Sequence, residues 1–124
     1  KETVASAIQI GNPVSFKKAV RELKHFKGVM EQVSEQEVKD AKAVVDASGI
    51  PICPNSAAAM AGLKKLIDNN IIKQEESVVA IMTAHGGKFS KAVIDYHKGN
   101  NKFSNKPKSL KANLETIEET LGLK

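Results

Sequence analysis

The side chains best suited to chemistry lie together in one short segment, Thr83 to Lys88. Within six residues it supplies a hydroxyl from Thr83, an imidazole from His85, a cation from Lys88 and two adjacent glycines. The glycines permit a close backbone approach that other residues resist. This composition predicts a ligand site, although a strand end can also turn through two glycines for geometric reasons alone.

A buried strand is predicted immediately before this segment, over Ser77 to Met82. Five consecutive apolar residues without alternation, Val78 to Met82, are typical of a strand that is covered on both faces, as in a parallel sheet. Ligands of open α/β sheets bind outside the carboxyl ends of the strands. We therefore expect Thr83 and its neighbours to lie at such an edge.

Helices are predicted on both sides of short extended segments. Ser34 and Glu37 match the capping box, and a further helix is predicted to begin with Asn55 or Ser56 as its cap. A first helix is predicted from one buried apolar stripe, formed by Phe16, Val20, Leu23 and Phe26. With a short strand expected at Gly28 to Val33, this order predicts an α/β fold, a mostly parallel sheet with flanking helices.

Charge and cysteine content narrow the function classes. The chain of 124 residues carries a net charge of +5, and its single cysteine, Cys53, excludes an internal disulfide and a cysteine metal cage. No metal site and no membrane span are predicted. Between positions 88 and 111 only Asp95 offsets seven lysines: Lys88, Lys91, Lys98, Lys102, Lys106, Lys108 and Lys111.

That lysine-rich stretch supports a second hypothesis, a stand-alone module that binds nucleic acid or another polyanion. Arg21 is the one arginine, and lysine without arginine is poorly suited to recognising bases. We therefore interpret the stretch as a solvated surface and predict no nucleic-acid partner.

Several stretches resemble the C-terminal part of threonine synthases, most closely the plant-type enzymes. The likeness covers nearly the whole chain in the right order, and the matching stretches are Thr3 to Gly11, Pro13 to Ser15, Ile52 to Pro54, Thr83 to Gly86, Lys88 to Phe89, Ile94 to His97 and Phe103 to Asn105.

The resemblance implies a pyridoxal-phosphate enzyme of fold type II, similar to the tryptophan synthase β subunit and incomplete in this chain. Residues 1–90 would form the C-terminal part of the large cofactor-binding α/β domain, and residues 91–124 a C-terminal tail and helix. The implied reaction converts O-phosphohomoserine and water to L-threonine and phosphate, in a homodimer. The resemblance assigns Thr83 to bind the pyridine nitrogen of the cofactor, and it assigns no catalytic residue within the chain.

Two departures from the family limit what this chain can do. The Schiff-base lysine and the glycine-rich phosphate cradle belong to the earlier part of such enzymes, and neither motif is present. We therefore expect the chain alone to be inactive and its partner to be the missing N-terminal part of the same enzyme. A cytoplasmic location is expected, or a plastid one for a plant or alga. A related pyridoxal-phosphate enzyme such as threonine dehydratase remains an alternative.

Overall fold

The computed structural model describes residues 2 to 123, which fold into five α-helices joined by long irregular segments. One short 3₁₀ turn, Ser6–Ile8, precedes the first helix, and another, Gly86–Phe89, leads directly into the fourth. The helices are α1 (Phe16–His25), α2 (Glu35–Ala47), α3 (Pro54–Asp68), α4 (Ser90–Lys98) and α5 (Leu114–Leu121).

The packing of α2 against α3 forms the centre of the structure. Val38 of α2, Ile52 in the segment before α3 and Ala57 of α3 are buried together. Small residues in the first half of α3 let the two helices approach closely. Partly buried apolar side chains complete this core: Val4, Val33, Val45, Ala58 and Met60.

The start of α2 confirms the capping box predicted from the sequence. The Ser34 hydroxyl accepts a hydrogen bond from the Glu37 N–H at 3.2 Å, and the Glu37 carboxylate accepts one from the Ser34 N–H at 2.6 Å. These backbone and side-chain hydrogen bonds from Ser34 lower the pKa of Glu37, since they favour the charged carboxylate.

The predicted sheet is not formed within residues 2–123, so this part of the fold prediction is wrong. The one strand-like pairing there is an isolated antiparallel bridge between Ile52 and His85. Residues 77–82 make no backbone hydrogen bond to another described segment, and Val79 and Ile81 are 91% and 77% exposed. A strand is stable only beside a partner strand, and none lies next to this run or next to residues 28–33.

The buried stripe predicted for α1 is also wrong, although the helix itself is confirmed. Phe16 and Phe26 are 61% and 74% exposed, while Val20 and Leu23 are partly covered. The hydroxyl of Ser15, the residue immediately before this helix, makes no capping hydrogen bond. Periodicity therefore predicted the helix correctly but not what covers its apolar face.

Helix α4 lies in a region that the sequence did not identify as helical. The Tyr96 hydroxyl donates a hydrogen bond of 2.6 Å to Asp40 of α2, and Tyr96 is buried. The loop after α4 is held to it, because Asn101 Nδ2 donates to the Tyr96 carbonyl at 2.6 Å. Burial and the neighbouring Asp40 carboxylate raise the pKa of Tyr96 to about 12.

Candidate functional site

Thr83 lies where the exposed segment 77–82 meets the beginning of α3. Its backbone N–H donates a hydrogen bond of 3.0 Å to the hydroxyl of Ser56. The residue as a whole remains exposed. Thr83 is therefore fixed through its backbone at a position that is open to solvent.

Three polar side chains meet at this point. The Thr83 hydroxyl oxygen lies 3.3 Å from the Ser56 hydroxyl oxygen and 3.5 Å from the Cys53 sulfur. Cys53 Sγ and Ser56 Oγ are 3.2 Å apart. We call Cys53, Ser56 and Thr83 the hydroxyl–thiol cluster.

The sequence around Pro54 explains why two members of the cluster lie together. Proline is favoured at the first position of a helix, because its fixed φ suits the helix and it has no N–H to leave unpaired. Cys53 then becomes the N-cap, and its sulfur accepts a hydrogen bond from the Ser56 N–H at 3.4 Å. Both side chains are buried, Cys53 completely and Ser56 to within 2% of full burial.

A short backbone pairing brings Thr83 to this helix start. The Cys53 N–H donates to the Ala84 carbonyl at 3.1 Å, and the Gly86 N–H donates to the Pro51 carbonyl at 2.9 Å. Together they align residues 84–86 antiparallel to residues 51–53. The position of Thr83 thus depends on hydrogen bonds from the residues that follow it.

Gly86 is needed because the two segments approach so closely. A Cβ atom at this position would lie 2.8 Å from the Ile52 carbonyl oxygen and 3.1 Å from the Pro51 carbonyl carbon. Those distances are too short for a side chain. The expectation that glycine permits close backbone approach here is confirmed.

A buried ion pair supports the same segment from α2. Lys42 Nζ lies 2.7 Å from Asp46 Oδ2 and donates a hydrogen bond of 2.6 Å to the Ile52 carbonyl. Asp46 in turn accepts from the Ile52 N–H at 2.9 Å. Lys42 is only 6% exposed and fully engaged, so it serves the backbone of the site.

The two other nominated side chains lie outside the hydroxyl–thiol cluster. His85 is exposed, and its Nδ1 accepts a hydrogen bond of 3.0 Å from the Gly87 N–H, which caps the 3₁₀ turn. Lys88 is exposed on that turn. Thr83, His85 and Lys88 lie in one segment of the sequence, but in the structure only Thr83 belongs to the cluster.

Cys53 has a thiol that ionises more easily than an ordinary cysteine. Burial opposes its ionisation, yet hydrogen bonds from the Ser56 hydroxyl, the Ser56 N–H and the Thr83 hydroxyl outweigh burial and lower its pKa to about 7. From the sequence, Cys53 served only to exclude a disulfide and a cysteine metal cage. One signal for this contact was available in the sequence. Cys53 and Ser56 are three residues apart on either side of Pro54, which is the spacing of an N-cap residue and its hydrogen-bonding partner.

Comparison with known proteins shows a consistent likeness along this chain. It is 40% identical to threonine synthase 2, chloroplastic, of Arabidopsis thaliana, with 96% of the chain and 24% of that protein aligned. It is 39% identical to threonine synthase of Methanosarcina acetivorans, over 97% of the chain and 28% of that protein. Threonine synthase of Methanocaldococcus jannaschii is 43% identical over 75% of the chain and 23% of its own length.

All three of these relatives are threonine synthases. The chain corresponds to a segment of threonine synthase, and the resemblance seen in the sequence is confirmed. It spans about a quarter of the length of the curated relatives that it matches. No family model matches the chain.

Every helix between residues 2 and 123 is too short or too polar to cross a membrane.

Proposed function

We propose that this chain supplies part of the cofactor pocket of a threonine synthase that converts O-phosphohomoserine and water to L-threonine and phosphate. The cofactor would be pyridoxal phosphate, and Thr83 would bind its ring nitrogen. The observation that carries the proposal is the placement of Thr83, whose backbone is fixed to Ser56 while the residue remains exposed.

The chemistry of the hydroxyl–thiol cluster fits this group. A pyridine nitrogen needs a hydrogen-bond donor, and a threonine hydroxyl is both a donor and an acceptor. Ser56 Oγ, 3.3 Å away, can donate to the Thr83 oxygen and leave the Thr83 hydrogen for the ligand. No carboxylate hydrogen-bonds to the cluster within the described residues, so the ring nitrogen would meet a neutral partner.

Pyridoxal phosphate acts as an electron sink that stabilises negative charge on the substrate. The part of this chain would be to orient the ring. Thr83 would hold one edge by donating its hydroxyl hydrogen, and Ser56 would fix the oxygen of that hydroxyl from behind. The Gly86 backbone, paired with residue 51, would keep Thr83 in place during turnover.

The remaining functions would come from the rest of the polypeptide. The lysine that carries the cofactor and the glycine-rich phosphate cradle would lie there. In this proposal, residues 1–90 complete the large domain, residues 91–124 form the tail, and the enzyme is a homodimer. The compartment would be the cytoplasm, or the plastid in a plant or alga.

The central test is Thr83→Val in the full polypeptide, since valine keeps the shape of the side chain and removes its hydroxyl. We expect affinity for pyridoxal phosphate to weaken about tenfold, as for the loss of one hydrogen bond, with a lower kcat. Thr83→Ser, which keeps the hydroxyl, is the matched control and should bind with near-parent affinity. Parent-like affinity and kcat in Thr83→Val would reject the assignment.

Two further measurements test the scope of the proposal. Assay of the full polypeptide with O-phosphohomoserine and with threonine separates a threonine synthase from a threonine dehydratase. The 124-residue chain alone, mixed with pyridoxal phosphate and reduced with borohydride, should carry no single stoichiometrically modified lysine. One specific modified lysine would contradict the claim that the attachment lysine lies elsewhere.

A further inference from the structure

We propose that Ser56 is a positioning residue that fixes the rotamer of Thr83 and leaves the Thr83 hydroxyl hydrogen directed at the ligand. This inference rests on the proposed function, because it assigns the group that makes Thr83 an effective donor. The geometry that carries it is a double contact. Ser56 Oγ accepts from the Thr83 N–H at 3.0 Å and lies 3.3 Å from Thr83 Oγ1.

The donor at one of these contacts is fixed by chemistry. A backbone N–H can only donate, so Ser56 Oγ is the acceptor in its bond with Thr83. The Ser56 hydrogen must then point to another acceptor within reach. Two are available, Thr83 Oγ1 at 3.3 Å and Cys53 Sγ at 3.2 Å.

While Cys53 is a protonated thiol, oxygen is the stronger acceptor of the two, since a neutral sulfur accepts hydrogen bonds weakly. When Ser56 donates to Thr83, one lone pair of the Thr83 oxygen is occupied on the protein side. The Thr83 hydrogen then has a choice between Cys53 at the long distance of 3.5 Å and an acceptor outside the protein. A ring nitrogen is a better acceptor than a distant thiol, so the hydrogen would point outward.

Ser56 itself has little freedom to move. It is 2% exposed, its N–H donates to Cys53 Sγ at 3.4 Å, and it lies in the first turn of α3. Thr83, in contrast, follows an exposed segment without backbone hydrogen bonds of its own. Ser56 is therefore the more rigid of the two residues, and its contacts restrict the conformation of Thr83.

The test is Ser56→Ala in the full polypeptide, measured as the dissociation constant of pyridoxal phosphate and as the absorbance spectrum of the bound cofactor. We expect affinity to fall roughly tenfold and the band to move in the same direction as in Thr83→Val. Ser56→Thr keeps the hydroxyl and should restore affinity to within about threefold of the parent. If Ser56→Ala does not fold, Ser56→Cys is measured instead. Its cofactor affinity should also fall, and its absorbance band should move in the same direction.

A double variant separates positioning from a general structural effect. In a Thr83→Val background, Ser56→Ala should weaken the cofactor affinity by less than about twofold, because the group it positions is already gone. Ser34→Ala is the matched control, since Ser34 is also a serine at a helix start but contacts Glu37 instead of Thr83. It should leave affinity and spectrum unchanged.

Parent-like affinity and spectrum in Ser56→Ala would overturn the inference. So would an equal loss of affinity in the parent and Thr83→Val backgrounds, which would mark a structural effect alone. The result for Thr83→Val shows whether only the role of Ser56 is wrong or the proposed function is wrong as well. If Thr83→Val weakens the cofactor and Ser56→Ala does not, only the role of Ser56 is wrong; if neither does, the proposed function fails as well.

Discussion

The ammonium group of Lys42 donates a hydrogen bond of 2.6 Å to the carbonyl oxygen of Ile52, which joins the middle of α2 to the segment that leads into α3. The same ammonium group is paired with Asp46, whose other oxygen accepts from the Ile52 N–H. Ile52 is thus held at both its backbone groups. Since Ile52 forms the bridge to His85, this clamp determines where the Thr83 segment can lie.

Replacement of Lys42 by methionine should destabilise the protein strongly. The change leaves the Asp46 carboxylate and the Ile52 carbonyl without their donor in a buried setting, which costs about 3 kcal/mol. Urea unfolding measures the change in the free energy of unfolding. Lys64→Met is the matched control, because its pair with Asp68 is largely exposed and should contribute less than about 1 kcal/mol. Equal effects of the two substitutions would contradict the assigned role of Lys42.

Gly86→Ala should disrupt the pairing that holds Thr83. The new Cβ would lie 2.8 Å from the Ile52 carbonyl oxygen, which belongs to backbone and cannot rotate away. We expect a loss of about 1–3 kcal/mol in the free energy of unfolding, together with weaker cofactor binding. Gly11→Ala, where nothing lies within 4 Å of the new Cβ, serves as the control and should retain parent stability. A fully stable Gly86→Ala variant would show that the segments can separate without cost.

Tyr96 should make stability sensitive to alkaline pH. Burial and Asp40 raise the pKa of Tyr96 from 10.0 to about 12, so the folded protein holds this proton more tightly than the unfolded chain. The resulting contribution is complete below pH 10 and is lost as pH rises from 10 towards 12. Tyr96→Phe should lack this loss across the same interval, measured by thermal unfolding at a series of pH values. Parallel pH profiles for the parent and Tyr96→Phe would refute the prediction.

Cys53 should titrate near neutral pH. Although burial opposes ionisation, hydrogen bonds from Ser56 and Thr83 lower its pKa from 9.0 to about 7, so the folded state releases this proton more readily than the unfolded one. The stability that follows is complete above pH 9.0 and declines as pH falls towards 7. Thiolate absorbance of the folded protein should give a midpoint near 7, and Ser56→Ala should raise it towards the ordinary value. A midpoint of 9.0 in the folded parent would disprove the effect.

Local rules predicted several features correctly because neighbouring residues alone decide them. The capping box at Ser34 and Glu37 formed as expected, since its hydrogen bonds span only three residues. Helix α3 was also predicted, but with Asn55 or Ser56 as its cap. The thiol of Cys53 took that position instead, because Pro54 fits the first helical position immediately after it.

Features that depend on distant residues were beyond the reach of the sequence. The contact between Ser56 and Thr83 joins positions 27 residues apart, and the Tyr96 bond to Asp40 joins positions 56 apart. No periodicity encodes such distances. The strand at 77–82 was predicted wrongly for the same reason, because an apolar run states a preference for pairing without providing the partner.

The exposed run from Val78 to Met82 has a consequence for handling the protein. It contains five apolar residues with no charge and no proline, the composition of segments that stack into cross-β fibrils. Its free backbone donors and acceptors offer a template on which an identical run of another molecule can align. Concentrated solutions of the 124-residue chain should therefore form amyloid-like aggregates unless this run is shielded during synthesis and storage.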